Sequence, residues 1–167
     1  MAKKADNPDY DELPVDSPER KRLPLLLRRA WYNLNKTFRR RINHADATPD
    51  QFTVLRTLHE GDAAGLTQSE LTRAMSSDPN TVASLLERME KGSWIERRPH
   101  ETDRRANRIL LKPAGKRKFT QLRDIAAGLQ LEILDVLPEK DREKFLEQLA
   151  DIAEAGHATA EEAARTK

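Results

Sequence analysis

The apolar residues of this chain recur at helical spacing in six runs, and the breaks between them carry start and stop signals. Leu23, Leu27, Ala30/Trp31, Leu34, Phe38 and Ile42 follow at steps of three and four, which lines one face of a long helix. Pro24 is tolerated only in a first helical turn and marks the start. The opposite face carries Arg28, Arg29, Lys36, Arg39, Arg40 and Arg41. Thr48-Pro49-Asp50-Gln51 opens a second helix: the threonine hydroxyl caps, proline suits the first position, and glutamine closes a capping box. Phe52, Leu55 and Leu58 then face a core, and Gly61 ends the helix. Thr67-Gln68-Ser69-Glu70 repeats the signal for a short helix carrying Leu71, Ala74 and Met75. Ser76-Ser77 makes a tight turn. A fourth helix runs from Ser77 or Asp78, with Pro79 in its first turn, to about Lys91, and Gly92 is its natural C′ residue. Two short helices joined by such a turn form a helix-turn-helix.

The periodicity then changes. Trp94 to Pro99 and Asn107 to Lys112 read as the strands of a hairpin, with Ile109 and Leu111 alternating as one half-buried strand requires. Pro113 opens a fifth helix with Phe119, Leu122, Ile125/Ala126, Leu129, Ile133 and Val136 on one face, and Pro138 breaks it. A last helix carries Phe145, Leu149 and Ile152 and is expected to fray from Ala153. Residues 1–19 are acidic, hold three prolines and have few large apolar groups, so a disordered tail is expected. The predicted fold is mainly α with a small β-hairpin wing: a winged helix-turn-helix over 47–112, flanked by N-terminal (20–46) and C-terminal (113–155) helices. A flexible tail is expected over 156–167.

Charge sharpens this picture locally. Between Arg88 and Lys118 there are eleven Lys/Arg and four Asp/Glu, a net of +7 in a chain whose overall charge is +2. The molecule is therefore expected to be dipolar, with one basic face suited to a polyanion. There is no cysteine, which excludes thiolate metal sites and thiol redox sensing. No apolar run reaches membrane-spanning length, and the N-terminus lacks the apolar core of a signal peptide, so a cytoplasmic protein without a membrane partner is expected.

A capped helix followed by a basic hairpin suits duplex DNA, the helix entering the major groove while the hairpin grips the flanking backbone or minor groove. On the fourth helix, Val82, Leu85, Leu86 and Met89 share one face and Asn80, Thr81, Ser84 and Arg88 the other. Small polar residues allow close approach to base edges; Asn reads adenine and Arg forks onto guanine. Ser76 and Ser77, near a helix N-terminus, are candidates for phosphate contact. In the hairpin, Asp103 is placed to pair with Arg105 and hold it extended toward a minor groove. Arg97, Arg98, Arg104 and Arg108 are read as phosphate contacts or solvent charges.

The segments LTQSELTRAM and DPNTVASLLERMEKGSWIERRP, with Asp103-Arg104-Arg105 and Leu111 eight residues after the aspartate, resemble the multiple-antibiotic-resistance (MarR) regulators. The element order is similar from about residue 21 to 152. Two departures stand out: Lys112 where the family usually has a capping Thr, and Gly92-Ser93-Trp94 in place of the commoner Gly-Leu-Ile/Val. The resemblance implies an obligate winged-helix homodimer whose terminal helices, over 20–46 and 113–155, are dimerisation helices that form the interface. The apolar stripes agree, and Leu23, Leu27, Leu34, Leu149 and Ile152 are the candidate interface residues. It also implies a repressor responsive to a small aromatic or phenolic anion, with Trp31, Phe52 and Arg56 as candidate pocket residues; plain core packing of Trp31 and Phe52 is the competing reading. No nucleophile–base arrangement, phosphate-cradling glycine loop, metal-ligand spacing or cofactor motif is present, so neither an enzyme nor a metal or cofactor protein is expected. The alternative to DNA binding is a helical dimerisation module that acts through protein partners and carries a wing that reads nothing.

Overall fold

The computed structural model describes Ser17, residues 20–103 and residues 105–166. The tail expected over 1–19 lies outside the described residues apart from Ser17. The elements are α1 (Leu23–Arg41), a 3-10 turn (Asn43–Ala45), α2 (Pro49–Glu60), β1 (Leu66–Thr67), α3 (Gln68–Ala74), α4 (Pro79–Lys91), β2 (Ile95–Pro99), β3 (Asn107–Leu111), α5 (Pro113–Leu134) and α6 (Glu139–Arg165). None of the described helices is long and apolar enough to cross a membrane.

Both expected capping boxes are formed with both limbs. Gln51 N–H donates to the Thr48 hydroxyl while the Gln51 side chain accepts from Thr48 N–H, and Thr67 and Glu70 repeat the exchange at α3. The backbone N–H of Thr67, and next its hydroxyl, hold the Glu70 carboxyl below the usual carboxylate range. A depressed carboxylate contributes stability above its unfolded pKa and loses it as pH falls through the folded one, so this cap weakens only in acid.

Both α3 and α4 end in a Schellman arrangement with serine in the left-handed position. At α3, Ser76 (φ 46°) donates to Arg73 O, and Ser77 N–H reaches Thr72 O. At α4, Ser93 (φ 59°) donates to Glu90 O, and Trp94 N–H reaches Met89 O. Gly92, expected as the C′ residue, is the cap itself with φ −74°. Trp94 packs on the cluster that contains Met89, the apolar contact that accompanies this motif, and so holds Ser93 in a conformation glycine would adopt more cheaply.

The sheet has order β1-β3-β2, all antiparallel. Its hairpin is the expected one, with Ile95 opposite Leu111 and Pro99 opposite Asn107. The short β1 was not expected. Leu66 and Thr67 pair with Ile109 and Arg108, a contact between segments about forty residues apart that no local pattern announces. One core joins the elements, with Ile42, Leu55, Leu71, Leu86, Met89, Ile95, Ile109 and Leu122 fully buried in it. Gly115, in the first turn of α5, lies so close to the wing base that a Cβ there would overlap the Trp94 carbonyl oxygen; that same oxygen accepts Lys112 N–H, and together they fix α5 against the wing.

The terminal helices are different. α6 continues to Arg165, where fraying from Ala153 and a flexible 156–167 were expected. Its end is rich in Ala and Glu, good helix formers, and His157–Glu161 and Glu161–Arg165 pair at i,i+4. α6 buries no residue. Leu23, Leu27, Leu34 and Ile152 are exposed and Leu149 is half-buried. Leu25, Leu26, Trp31, Leu131, Ile133, Val136 and Phe145 are further exposed apolar residues on α1, α5, the α5–α6 connection and α6.

Candidate nucleic-acid interface

α4 divides as its sequence requires. Val82, Leu85, Leu86 and Met89 are buried, and Asn80, Thr81, Ser84 and Arg88 are all exposed. Asp78 caps the helix, its Oδ1 accepting the N–H groups of Asn80 (2.9 Å) and Thr81 (3.1 Å). This corrects the expected phosphate site at Ser76 and Ser77. Their N–H groups close the end of α3, the first N–H groups of α4 are taken by Asp78, and a carboxylate at that terminus repels a phosphate. What these serines offer a ligand is their hydroxyls, Ser76 on the exposed turn and Ser77 half-buried. At the far end of α4, Arg88 Nε donates to Ser84 O at 3.3 Å and the side chain borders a cleft of about 360 Å³ with Asn43, Asp46, Thr48 and Gln51. Arg88 is therefore turned toward the start of α2, about two helical turns along α4 from Asn80.

The wing carries the basic groups. Arg97 pairs with Glu90 at 3.1 Å and Arg98 with Glu96. Exposed pairs of this kind are worth about 0–1 kcal/mol and yield readily to a phosphate. Arg105 is 95% exposed. The expected Asp103–Arg105 pairing is mainly through the backbone: Asp103 Oδ1 accepts Arg105 N–H at 2.9 Å, and the guanidinium Nε lies 3.8 Å away. Arg104 lies outside the described residues. Arg108, read from sequence as a phosphate contact or solvent charge, is a strut. Only 19% exposed, it donates from Nε to Glu101 (3.1 Å) and from Nη1 to the Gly65 carbonyl (3.0 Å), which ties the wing to the loop before β1. Glu101's own backbone N–H, and next the Arg108 guanidinium, hold the Glu101 carboxyl below the usual range.

Arg97 and Arg105 meet the start of α3 across a concavity of about 360 Å³ that Thr67, Gln68, Ser69 and Asn107 also border. Ser69 was not singled out by the sequence, because its position beside two wing arginines depends on the β1–β3 pairing. The surface offers two guanidinium groups with hydroxyl and amide groups beside them, a donor set suited to backbone phosphate.

A second feature lies between α1, α2 and α5. Trp31, Phe52 and Arg56 border one groove of about 200 Å³ together with Leu34, Phe38 and Leu129. Phe52 is buried and stacks on Phe119 with centroids 6.0 Å apart, so it also belongs to the core; Trp31 is 63% exposed and does not. The Arg56 guanidinium stands 4.9 Å over the Phe52 ring. Its Nε is buried without a hydrogen-bond partner, with Glu60 Oε1 at 3.8 Å.

A model of the MarR family matches residues 47–106, the helix-turn-helix and most of the wing. The chain is similar to the HTH-type transcriptional regulator BilQ of Clostridium symbiosum (strain WAL-14163), 25% identical over 101 residues, covering 60% of this chain and 70% of that one. An uncharacterized HTH-type transcriptional regulator of Bacillus subtilis (strain 168), YsmB, is 39% identical over 77 residues, 46% of this chain and 51% of its own length. Among solved structures, the S. aureus MepR–DNA complex superposes with a TM-score of 0.73 at 21% identity, covering 81% of this chain and 99% of that one. The family model spans the capped helices, the turn between α3 and α4 and the hairpin tip, and the fold likeness extends to the flanking helices: residues 47–106 match the MarR family, and the chain has a MarR-type winged helix-turn-helix fold.

Proposed function

We propose that this chain is a sequence-specific duplex-DNA-binding transcriptional regulator, acting as a homodimer on a pseudo-palindromic operator. One observation carries the reading: α4 presents Asn80, Thr81 and Ser84 outward, with Arg88 turned toward the start of α2, while α3 and β2, which pack on α4, frame a concavity bordered by Arg97 and Arg105. α4 enters the major groove, and the wing grips the flanking backbone. MepR, solved on DNA, supports the same use of the fold. The exposed apolar surface of α1 supports a second copy, and a two-fold dimer sets two reading helices about one DNA turn apart.

Reading and gripping separate by mutation. Asn80→Ala relaxes base preference at defined operator positions, costing about 1–3 kcal/mol where a bidentate pair is lost. Arg105→Ala weakens all duplexes about equally and flattens the salt dependence by about one unit for each wing. Binding-site selection and salt titration of both variants measure the two effects. A change in preferred bases on Arg105→Ala would show that the wing reads sequence, contrary to this assignment.

The regulator is further proposed to be a repressor released by a small aromatic or phenolic anion. The supporting observation is the Arg56 guanidinium over Phe52, its buried Nε without a hydrogen bond and only a 3.8 Å approach from Glu60, at the edge of the groove that Trp31 borders. A flat ring fits against Trp31 and Phe52 while its carboxylate or phenolate meets Arg56. By linkage, a ligand that lowers DNA affinity has its own affinity lowered by the same factor when DNA is bound, a coupling of about 1–3 kcal/mol. Calorimetry with salicylate, with and without bound duplex and on Trp31→Ala, measures it; equal affinity in both states removes the regulatory role.

A further inference from the structure

We infer that His100 is the positioning residue of the wing: its Nδ1 folds the tip and thereby presents Arg105 to DNA. The inference rests on the DNA-binding reading and extends it to a residue that makes no DNA contact itself. Between Pro99 and Asn107 the wing holds no large apolar side chain, so the shape of its tip depends on hydrogen bonds. His100 N–H donates to Ala106 O at 3.2 Å and closes the loop. Its Nδ1 then accepts two successive backbone N–H groups, from Thr102 (3.3 Å) and Asp103 (3.2 Å). Asp103 repeats the device one step on, accepting Arg105 N–H at its Oδ1 (2.9 Å) and Ala106 N–H at its carbonyl (3.0 Å). The caps act in series: His100 fixes Asp103, and Asp103 fixes the backbone that carries Arg105. The guanidinium of Arg105 is 95% exposed, with its paired carboxylate only at 3.8 Å, so the backbone is what aims it.

The imidazole is held for this task. It is 17% exposed; the Thr102 hydroxyl (3.4 Å) and Glu101 Oε2 (3.8 Å) also lie near Nδ1, and Arg108 ties Glu101 to the Gly65 carbonyl. Two N–H groups directed at Nδ1 require that nitrogen to be unprotonated, which places the ring proton on Nε2. The chemistry also specifies which residue can replace it. Nδ1 is bonded to Cγ, as is Oδ1 of asparagine, so Asn presents an acceptor at the same place, whereas Gln sets its acceptor one carbon too far and Ala has none. A tip ordered before contact does not lose that freedom on binding, and this preorganisation is where affinity is gained.

The test uses the full chain with His100→Ala, His100→Gln and His100→Asn, and a mixed-sequence duplex of about three helical turns at low salt, where backbone grip dominates. With two capping hydrogen bonds removed, Ala and Gln are expected to weaken binding about tenfold, with the melting temperature lowered by only a few degrees, and Asn to restore both. Amide exchange at Thr102 and Asp103, read by NMR without DNA, accelerates in Ala and Gln and recovers in Asn. The 15N shifts of the wild-type ring report an unprotonated Nδ1. Wild-type affinity in His100→Ala, or Asn behaving as Ala does, overturns the inference. A wild type that binds no duplex overturns the DNA-binding reading instead, and the exchange and tautomer measurements still decide whether His100 caps the tip.

Discussion

Replacing Leu27 and Leu34 together with glutamate is expected to give a monomer that no longer holds operator DNA. Both leucines belong to the stripe on α1, yet in the single chain they are 39% and 37% exposed, so the protomer does not bury them itself. The anchor of α1 lies further along, at Phe38 (5%) and Ile42 (0%). Burying a carboxylate against a second copy costs several kcal/mol per ion, and a two-fold interface counts each substitution twice. The core beneath α2 to α5 is untouched, so circular dichroism should retain helical signal while light scattering reports one chain. Loss of the second reading helix removes the gain of two-site binding, roughly 10²–10⁴ in affinity. A double variant that still scatters as a dimer would rule out this use of α1.

The second expectation concerns salt. Arg97, Arg98 and Arg105 of two wings supply six guanidinium groups for phosphate, each released from nothing stronger than an exposed ion pair. Six neutralised phosphates correspond to a log–log slope of about −5, so affinity should fall by about 10³ between 50 and 200 mM salt. A dimerisation module with a wing that reads nothing would show no such dependence. Fluorescence anisotropy across that range measures the slope, and a slope near zero contradicts the assignment of the wing arginines.

The parts of the fold that follow local rules were legible in the sequence. Thr48/Gln51 and Thr67/Glu70 each announce a helix start within four residues, and both boxes formed. The division of α4 follows from one helical period, and the hairpin strands follow from alternation around a polar turn. What escaped depends on segments distant in sequence or on atoms rather than residue types. β1 is two residues long and exists because β3 lies beside it. Arg108 has the same composition signal as its neighbours, and only the Gly65 carbonyl, 43 positions away, makes it a strut. The Ser76 and Ser77 amides were available on paper but are consumed by the end of α3. Trp31 and Arg56 meet because α1 crosses α2, a packing angle that no periodicity contains. The candidate site was thus readable as a list of exposed donors, while which donors are free had to come from the structure.

The central claim, that α4 reads duplex DNA in sequence while the wing grips the backbone, is tested most directly by selecting bound duplexes from a random pool with the purified full chain. The account predicts enrichment of an inverted repeat whose half-site centres lie about 10 bp apart, bound by two chains, with preference relaxed at defined positions in Asn80→Ala. A pool that emerges with no enriched sequence, or an enrichment indifferent to Asn80, would contradict it.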